Sequence, residues 1–317
     1  MNAILKKYPV PATGLILGLA SAGNLVQSYG EVFRNMFGLA AAVLFLLMLA
    51  KMIKFPADVR TSLDNPIIAS VFPTLTMGSM ILSTYIKPFT PGFAYAMWTA
   101  SAALHVVLIV LFTKKYVLNF KIKTVFPSWF IVYVGIAVAS VTGPAYKMTA
   151  AGQTAFWFGL VSYLILLPTV IYRVAKVGDM AEPSLPSLVI FAAPASLLLA
   201  GYMNSFEAKN MAIVWFLMVL SMIMYVAVLV FLVKLLRLKF YPSYSAFTFP
   251  LVISGIAMKL TNGFLIKTNQ PMTWLKFIVK FQEAAAVLMV IYVLYRYVKF
   301  LSEKPKSSDL PSQQPSK

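Results

Sequence analysis

Residues 246–255, AFTFPLVISG, place Pro250 in the middle of an apolar run that is long enough to cross a membrane. A proline inside a helix removes one backbone hydrogen bond and usually costs ~3 kcal/mol. In lipid, the carbonyl that it leaves unpaired, here that of Ala246, finds no water to bond. Because such a bend is tolerated where protein or a water-filled cavity satisfies the backbone, the stretch predicts a broken helix that faces a cavity.

Prolines within apolar runs recur along the chain. A proline stands near the start of every second apolar run, at intervals of about 55 to 61 residues: Pro11, Pro66, Pro127, Pro186 and Pro242. A second breaker follows inside each of these runs, a proline in three of them and a glycine in two: Pro73, Pro194, Pro250, Gly18 and Gly135. A period of one helical hairpin is a strong architectural signal, so we predict five hairpins in tandem.

Composition points to the membrane. Hydrophobic residues make up 60% of the chain and charged residues only 11%, whereas a soluble domain is typically ~45–50% apolar and ~25% charged. The apolar excess lies in runs of about 20 residues, the length that crosses the hydrocarbon core of a bilayer. The chain is therefore predicted to be an integral membrane protein without a soluble domain.

Apolar runs separated by breakers predict ten spans. Their approximate ranges are 9–28, 33–53, 66–86, 91–113, 125–145, 151–174, 185–204, 209–236, 242–264 and 271–299. Most basic residues lie at the two chain ends and after the even-numbered spans, which places both termini in the cytoplasm of a cell-membrane protein. The first run imitates a signal peptide, but its proline fits the repeat, so we expect a retained helix.

We expect one membrane domain over residues 1–301 and a disordered cytoplasmic tail over residues 302–317, which are rich in Pro, Ser and Gln. The broken odd-numbered spans predict an inner ring around a central pore, and the straighter even-numbered spans an outer ring. The predicted fold class is thus an all-α integral membrane protein with ten transmembrane helices. Small residues on the inner spans also permit close helix packing, so they do not prove a pore by themselves.

Four stretches resemble one known family: residues 10–24, VPATGLILGLASAGN; residues 126–145, FPSWFIVYVGIAVASVTGPA; residues 186–202, PSLVIFAAPASLLLAGY; and residues 244–257, YSAFTFPLVISGIA. They are similar to the tellurite-resistance/dicarboxylate transporter family, which includes the plant guard-cell slow anion channels. The similarity covers roughly residues 8–299. Members of that family are trimers of ten-helix protomers, each with its own pore closed by a phenylalanine of the ninth helix. The resemblance therefore implies a homotrimer in which Phe249 is the pore gate.

The breaker next to Phe249 gives this implied role a physical basis. A bend at Pro250 turns the adjacent ring toward the axis, where an apolar constriction excludes water and ions. Phe72 stands in the same relation to Pro73 and is predicted to be a second obstruction. The alternative for either ring is ordinary packing against lipid or a neighbouring helix.

Charged residues inside a bilayer are functional candidates by default. Within the predicted spans, away from their cytoplasmic ends, they are Lys259, Lys276, Lys280 and Glu283. Lys280 and Glu283 can pair on one helix face because they are three residues apart. The three lysines are also candidates for drawing anions to the outer pore mouth by raising their local concentration.

Other partners are not expected. The basic residues lie in short loops rather than on one exposed face, so nucleic acid is not predicted as a partner. A chain without cysteine and with one histidine, His105, offers neither a metal site nor a catalytic cluster, and we predict no cofactor.

Two functions remain open. The inner spans lack the acidic and histidine relays of coupled carriers, which favours a passive channel for small monovalent anions such as chloride or nitrate. The alternative is a secondary carrier of C4-dicarboxylates or tellurite-type oxyanions, as the name of the similar family suggests.

Overall fold

The computed structural model describes residues 2–303, which form helices and turns and contain no β-strand. Within these residues, nine helices are long and apolar enough to cross a membrane. The predicted all-α membrane architecture is confirmed at this level. The predicted disordered tail, residues 302–317, lies outside the described residues except for its first two positions.

The α-helices are numbered in chain order. They are α1 Asn2–Lys7, α2 Ala12–Val26, α3 Glu31–Lys54, α4 Pro56–Ser62, α5 Pro66–Val71, α6 Thr74–Ile86, α7 Pro91–Phe112, α8 Trp129–Val134, α9 Val138–Thr142, α10 Thr149–Tyr172, α11 Ala193–Ser205, α12 Met211–Leu235, α13 Phe249–Lys267 and α14 Leu275–Ser302. Short 3-10 and π segments connect or extend several of them.

The long helices and the broken segments differ in burial. In α3, α7, α10, α12 and α14, with the π turns that extend α7 and α10, only 22–33% of the most apolar window is buried. The corresponding windows of four Pro/Gly segments are 61–83% buried. Lipid solvates apolar side chains, so the long helices can present theirs outward, whereas the broken segments lie in the interior and pack against protein.

Four interior segments are interrupted near their second breaker. Helix α5 ends at Val71 and α6 begins at Thr74, so Phe72 and Pro73 lie between the two helices. The segment of α8 passes into a 3-10 turn at Gly135 before α9 begins. Two further segments start as 3-10 helices, Glu182–Ala192 and Pro242–Phe247, and continue as α11 and α13.

The first segment departs from the prediction. Helix α2 has 15 residues and runs without interruption through Gly18, so it spans only ~22 Å at 1.5 Å per residue. Glycine keeps its backbone N–H, unlike proline, and therefore need not break a helix. All residues of α2 except Asn24 are buried, so this helix is enclosed by protein rather than by lipid.

At Gly18, glycine serves close packing instead. A Cβ added there would overlap the side chain of Thr248, and one added at Gly14 would lie 2.9 Å from the hydroxyl oxygen of Ser245. The hydroxyl oxygen of Thr248 lies 3.1 Å from the carbonyl oxygen of Gly14. Two glycines four residues apart thus bring α2 against the residues that precede Phe249, in the manner of small-residue helix interfaces.

Gly18→Ala should destabilise the protein by ~1–3 kcal/mol, because the new methyl group overpacks a contact that includes the backbone around Thr248. Gly263→Ala is the matched control, since a Cβ at this position of α13 meets nothing within 4 Å and alanine favours a helix. Melting temperatures in detergent measure both changes. Equal melting temperatures for the two variants would contradict the proposed close approach.

Candidate functional site

Two cavities lie among the interior segments. The first offers about 50 Å³ to the centre of a water molecule and is lined by the N-terminal halves of all five Pro/Gly segments; we call it the amino-end cavity. Its wall is apolar, with a few hydroxyl groups such as that of Thr74, and no charged residue is among the residues that line it.

The second cavity offers about 310 Å³ to the centre of a water molecule and is lined by the C-terminal halves of the same five segments; we call it the carboxyl-end cavity. Its wall is more polar and also contains Arg34, from the first turn of α3. Among the residues that line it, Arg34 is the one charged side chain, and no carboxylate is present. The polar members of the wall are Ser21, Asn24, Gln27, Thr84, Thr142 and Asn204.

Phe249 lies at the boundary between the cavities. Phe249 and Leu197 are the residues that line both of them. Only 6% of Phe249 is exposed, and it is the first residue of α13, directly before Pro250. The break at Thr248, where ψ is −82°, ends the 3-10 segment and starts the helix at this ring.

Phe72 is placed differently. In four segments the residue before the second breaker lines the amino-end cavity: Leu17, Val134, Ala193 and Phe249. Phe72 is buried and lines neither cavity, whereas the residues on either side of its break, Val71 and Thr74, line the amino-end cavity. The structure therefore does not place Phe72 as a second obstruction, because its break turns neighbouring residues, not its own ring, toward the cavity.

Glu283 contacts two of the three lysines that were predicted to lie near the outer pore mouth. The ammonium group of Lys259 lies 2.5 Å from one carboxylate oxygen, and the hydroxyl of Tyr29 donates to the other at 2.6 Å. Lys280 contacts the Tyr29 hydroxyl and lies 3.5 Å from the same carboxylate. The predicted pairing of Lys280 with Glu283 is thus present, and Lys259 joins it from α13.

Attraction of anions by these lysines stays a prediction, and Lys259 has a structural role beside it. Lys259 also donates to the carbonyl of Leu25 at 2.8 Å, so its ammonium group is fully engaged in tying α13 to α2 and α14. Lys276 is exposed and lies over the ring of Phe277, 5.0 Å from its centroid. None of the three predicted lysines lines either cavity.

The cationic residue that does line a cavity, Arg34, was missed by the sequence analysis. It lies on a long surface helix, and only the fold brings it beside α2 and α6. One signal was available, because few basic residues occur in the connections on its side of the predicted membrane.

His105 serves the packing of the interior segments. It is fully buried, with Nδ1 2.7 Å from the hydroxyl oxygen of Thr76 and Nε2 3.2 Å from the carbonyl oxygen of Val132. The imidazole therefore joins α7 to the segments of α6 and α8.

The cavities, enclosed by broken interior segments and surrounded by apolar helices, define a multi-pass membrane protein with internal space for small solutes. Residues 8–298 match the family described as voltage-dependent anion channel, SLAC1. The protein therefore belongs to the SLAC1 family of anion channels and transporters, and the family resemblance of the sequence is confirmed. An uncharacterized transporter of Methanocaldococcus jannaschii is 24% identical over 240 residues, which are 66% of this chain and 68% of that protein.

Proposed function

We propose that this protein is a passive channel for small monovalent anions, such as chloride and nitrate, and that Phe249 is its gate. The observation that carries the proposal is the position of Phe249, which lines both cavities at once. A buried aromatic ring between two spaces excludes water and ions from the constriction, and movement of the ring joins the two spaces into one conduit.

The proposed pore runs along the interior segments. Because their N-terminal halves line one cavity and their C-terminal halves the other, the five segments would cross in the same direction around one axis. This supports ten helices in five hairpins, with an inner and an outer ring. Helix α2 would be the first inner helix despite its length, since its surroundings are protein and need not match the thickness of lipid.

Electrostatics support anions over cations. No carboxylate is among the residues that line the two cavities, and Arg34 contributes a positive charge to one of them. A cation would find no opposite charge along this route, whereas an anion meets amide and guanidinium donors. The lack of a titratable acid in the lining also supports passive movement rather than coupling to protons.

The cellular setting is part of the proposal. The distribution of basic residues supports a plasma-membrane protein with both termini in the cytoplasm, which places the amino-end cavity on the cytoplasmic side. A homotrimer, in which every protomer has its own pore, is supported by the family resemblance.

Liposome flux tests the proposal against the second candidate, a carrier of C4-dicarboxylates or tellurite-type oxyanions. We expect chloride flux through the wild type and Phe249→Ala to depend on the membrane potential, which is set with potassium and valinomycin. A pH gradient should not change this flux. The reason is that a channel without a titratable lining couples to no proton. Flux that requires a proton gradient, or that carries succinate in preference to chloride, would instead support the carrier.

A further inference from the structure

We propose that Arg34 and Asn24 form an anion-binding site in the wall of the carboxyl-end cavity, and that this site selects monovalent anions over dianions. The inference rests on the proposed function, because the site would bind anions before they pass the constriction at Phe249.

Arg34 is held in a fixed position. Its side chain is only 13% exposed, Nε donates to the amide oxygen of Asn24 at 3.1 Å, and Nη2 donates to the carbonyl of Thr84 at 3.4 Å. The guanidinium also lies over the ring of Tyr85, 4.2 Å from its centroid. These contacts come from two different segments, α2 and α6, so the guanidinium is preorganised in a way that a mobile surface arginine is not.

The guanidinium has five N–H groups, more than its contacts with Asn24, Thr84 and Glu31 use, and Arg34 is one of the residues that line the cavity. Asn24 adds to them, because its amide oxygen is occupied by Arg34 and its NH₂ group is left for the cavity.

The hydroxyl groups of the wall contribute less. Ser21 donates to the carbonyl of Leu17 at 2.8 Å, and Thr84 and Thr142 bond carbonyls of their own segments in the same way. The amide groups of Gln27 and Asn204 are also engaged, with Glu31 and with the carbonyl of Ala200. The donors of the wall that remain for a ligand are therefore those of Arg34 and of Asn24, which lies beside it. Charge-assisted N–H donors of this kind favour an anion.

The charged residues at the site favour a ligand with a single negative charge. Arg34 forms an ion pair with Glu31 at 3.5 Å. This ion pair is weak, because the side chain of Glu31 is 61% exposed to solvent. No second cation is among the residues that line the cavity. One positive charge can pair with chloride or nitrate, whereas a dicarboxylate would bring a second negative charge into the cavity without a partner.

Initial chloride flux against chloride concentration tests the site in the open Phe249→Ala background. Arg34→Gln should raise the half-saturating concentration about five- to tenfold, because the anion loses a charge-assisted partner. Arg34→Lys should restore part of the affinity. Glu31→Gln should lower the half-saturating concentration about twofold, because it frees the guanidinium. Lys276→Gln, which removes a lysine that lines neither cavity, is the matched control and should change nothing.

A second readout does not depend on flux. Nitrate should raise the melting temperature of the purified wild type, since a ligand that binds the folded state stabilises it, and should raise it less in Arg34→Gln. The difference in melting temperature between the wild type and Arg34→Gln should be larger in nitrate than in sulfate at equal ionic strength, because the general stabilising effect of sulfate acts on both proteins alike. If Arg34→Gln does not fold, Glu31→Gln decides by the same two measurements.

The outcomes separate the two proposals. Unchanged half-saturation and unchanged nitrate stabilisation in the Arg34 and Glu31 variants would overturn the site, even if Phe249→Ala conducts. A Phe249→Ala variant without flux would contradict the gate, while the nitrate measurement still decides the binding site.

Discussion

Phe249→Ala is expected to raise chloride flux in liposomes at least about tenfold over the wild type, the largest functional change among single substitutions. The ring lines both cavities, and its removal would leave Leu197 as the remaining residue shared by the two walls. Replacing a large ring by a methyl group widens the constriction enough to admit water and a small anion. Chloride-sensitive fluorescence inside liposomes, under a clamped potential, measures the effect.

Phe72→Ala provides the matched control for this expectation. It removes the same ring beside the same kind of Pro residue, but Phe72 is buried and lines neither cavity. It should lower stability by ~3–5 kcal/mol, as other Phe truncations in cores do, without producing a leak. A leak in folded Phe72→Ala together with a silent Phe249→Ala would show that the conduit runs elsewhere.

Glu283→Ala is expected to have the largest effect on stability among the charged residues, a loss of ~2–3 kcal/mol. Its carboxylate is only 6% exposed and accepts from Lys259 and Tyr29. Removing one partner of a buried pair typically costs ~3–5 kcal/mol, and the lower value applies here because Lys259 is 31% exposed and keeps its bond to the carbonyl of Leu25. Thermal unfolding in detergent reports the loss.

Lys280→Ala should change the melting temperature little, because Lys280 is 66% exposed and lies 3.5 Å from the carboxylate. The drop in melting temperature of Glu283→Gln should lie between those of Lys280→Ala and Glu283→Ala, because the amide keeps one acceptor for Tyr29 but loses the charge. Equal losses in Lys280→Ala and Glu283→Ala would contradict the assignment of the Lys259 contact as the main one.

Glu283→Ala would also change the charge distribution near the proposed pore. Lys259 is engaged by Glu283, Leu25 and Ser28, and Arg34 is the one charged residue among those that line the carboxyl-end cavity. Glu283→Ala removes the negative charge beside Lys259, which keeps its contacts with Leu25 and Ser28, and so leaves a cation near α2 without its counter-charge. Because Glu283→Ala is also expected to lose stability, its anion flux should be compared with that of the wild type at temperatures where both proteins are folded.

The sequence by itself determined the features that depend on local chemistry. The repeated prolines remove backbone hydrogen bonds wherever they stand, so the interruptions at Pro73, Pro194 and Pro250 and the burial of those segments could be predicted without any tertiary contact. The apolar, continuous runs between them specify surface helices for the same reason, because lipid is the solvent that they fit. The family also followed from these stretches, as the match over residues 8–298 shows.

Only the tertiary structure decided which side chains meet. Phe72 and Phe249 have the same local sequence, an aromatic ring before a proline, yet only the second lines the cavities. Gly18 was predicted to be a kink and instead allows close packing against Thr248. Lys259 is paired with Glu283, while Arg34, on a surface helix, lines a cavity. The physical reason is that the direction of a side chain depends on how helices rotate and pack against each other, which local sequence does not determine.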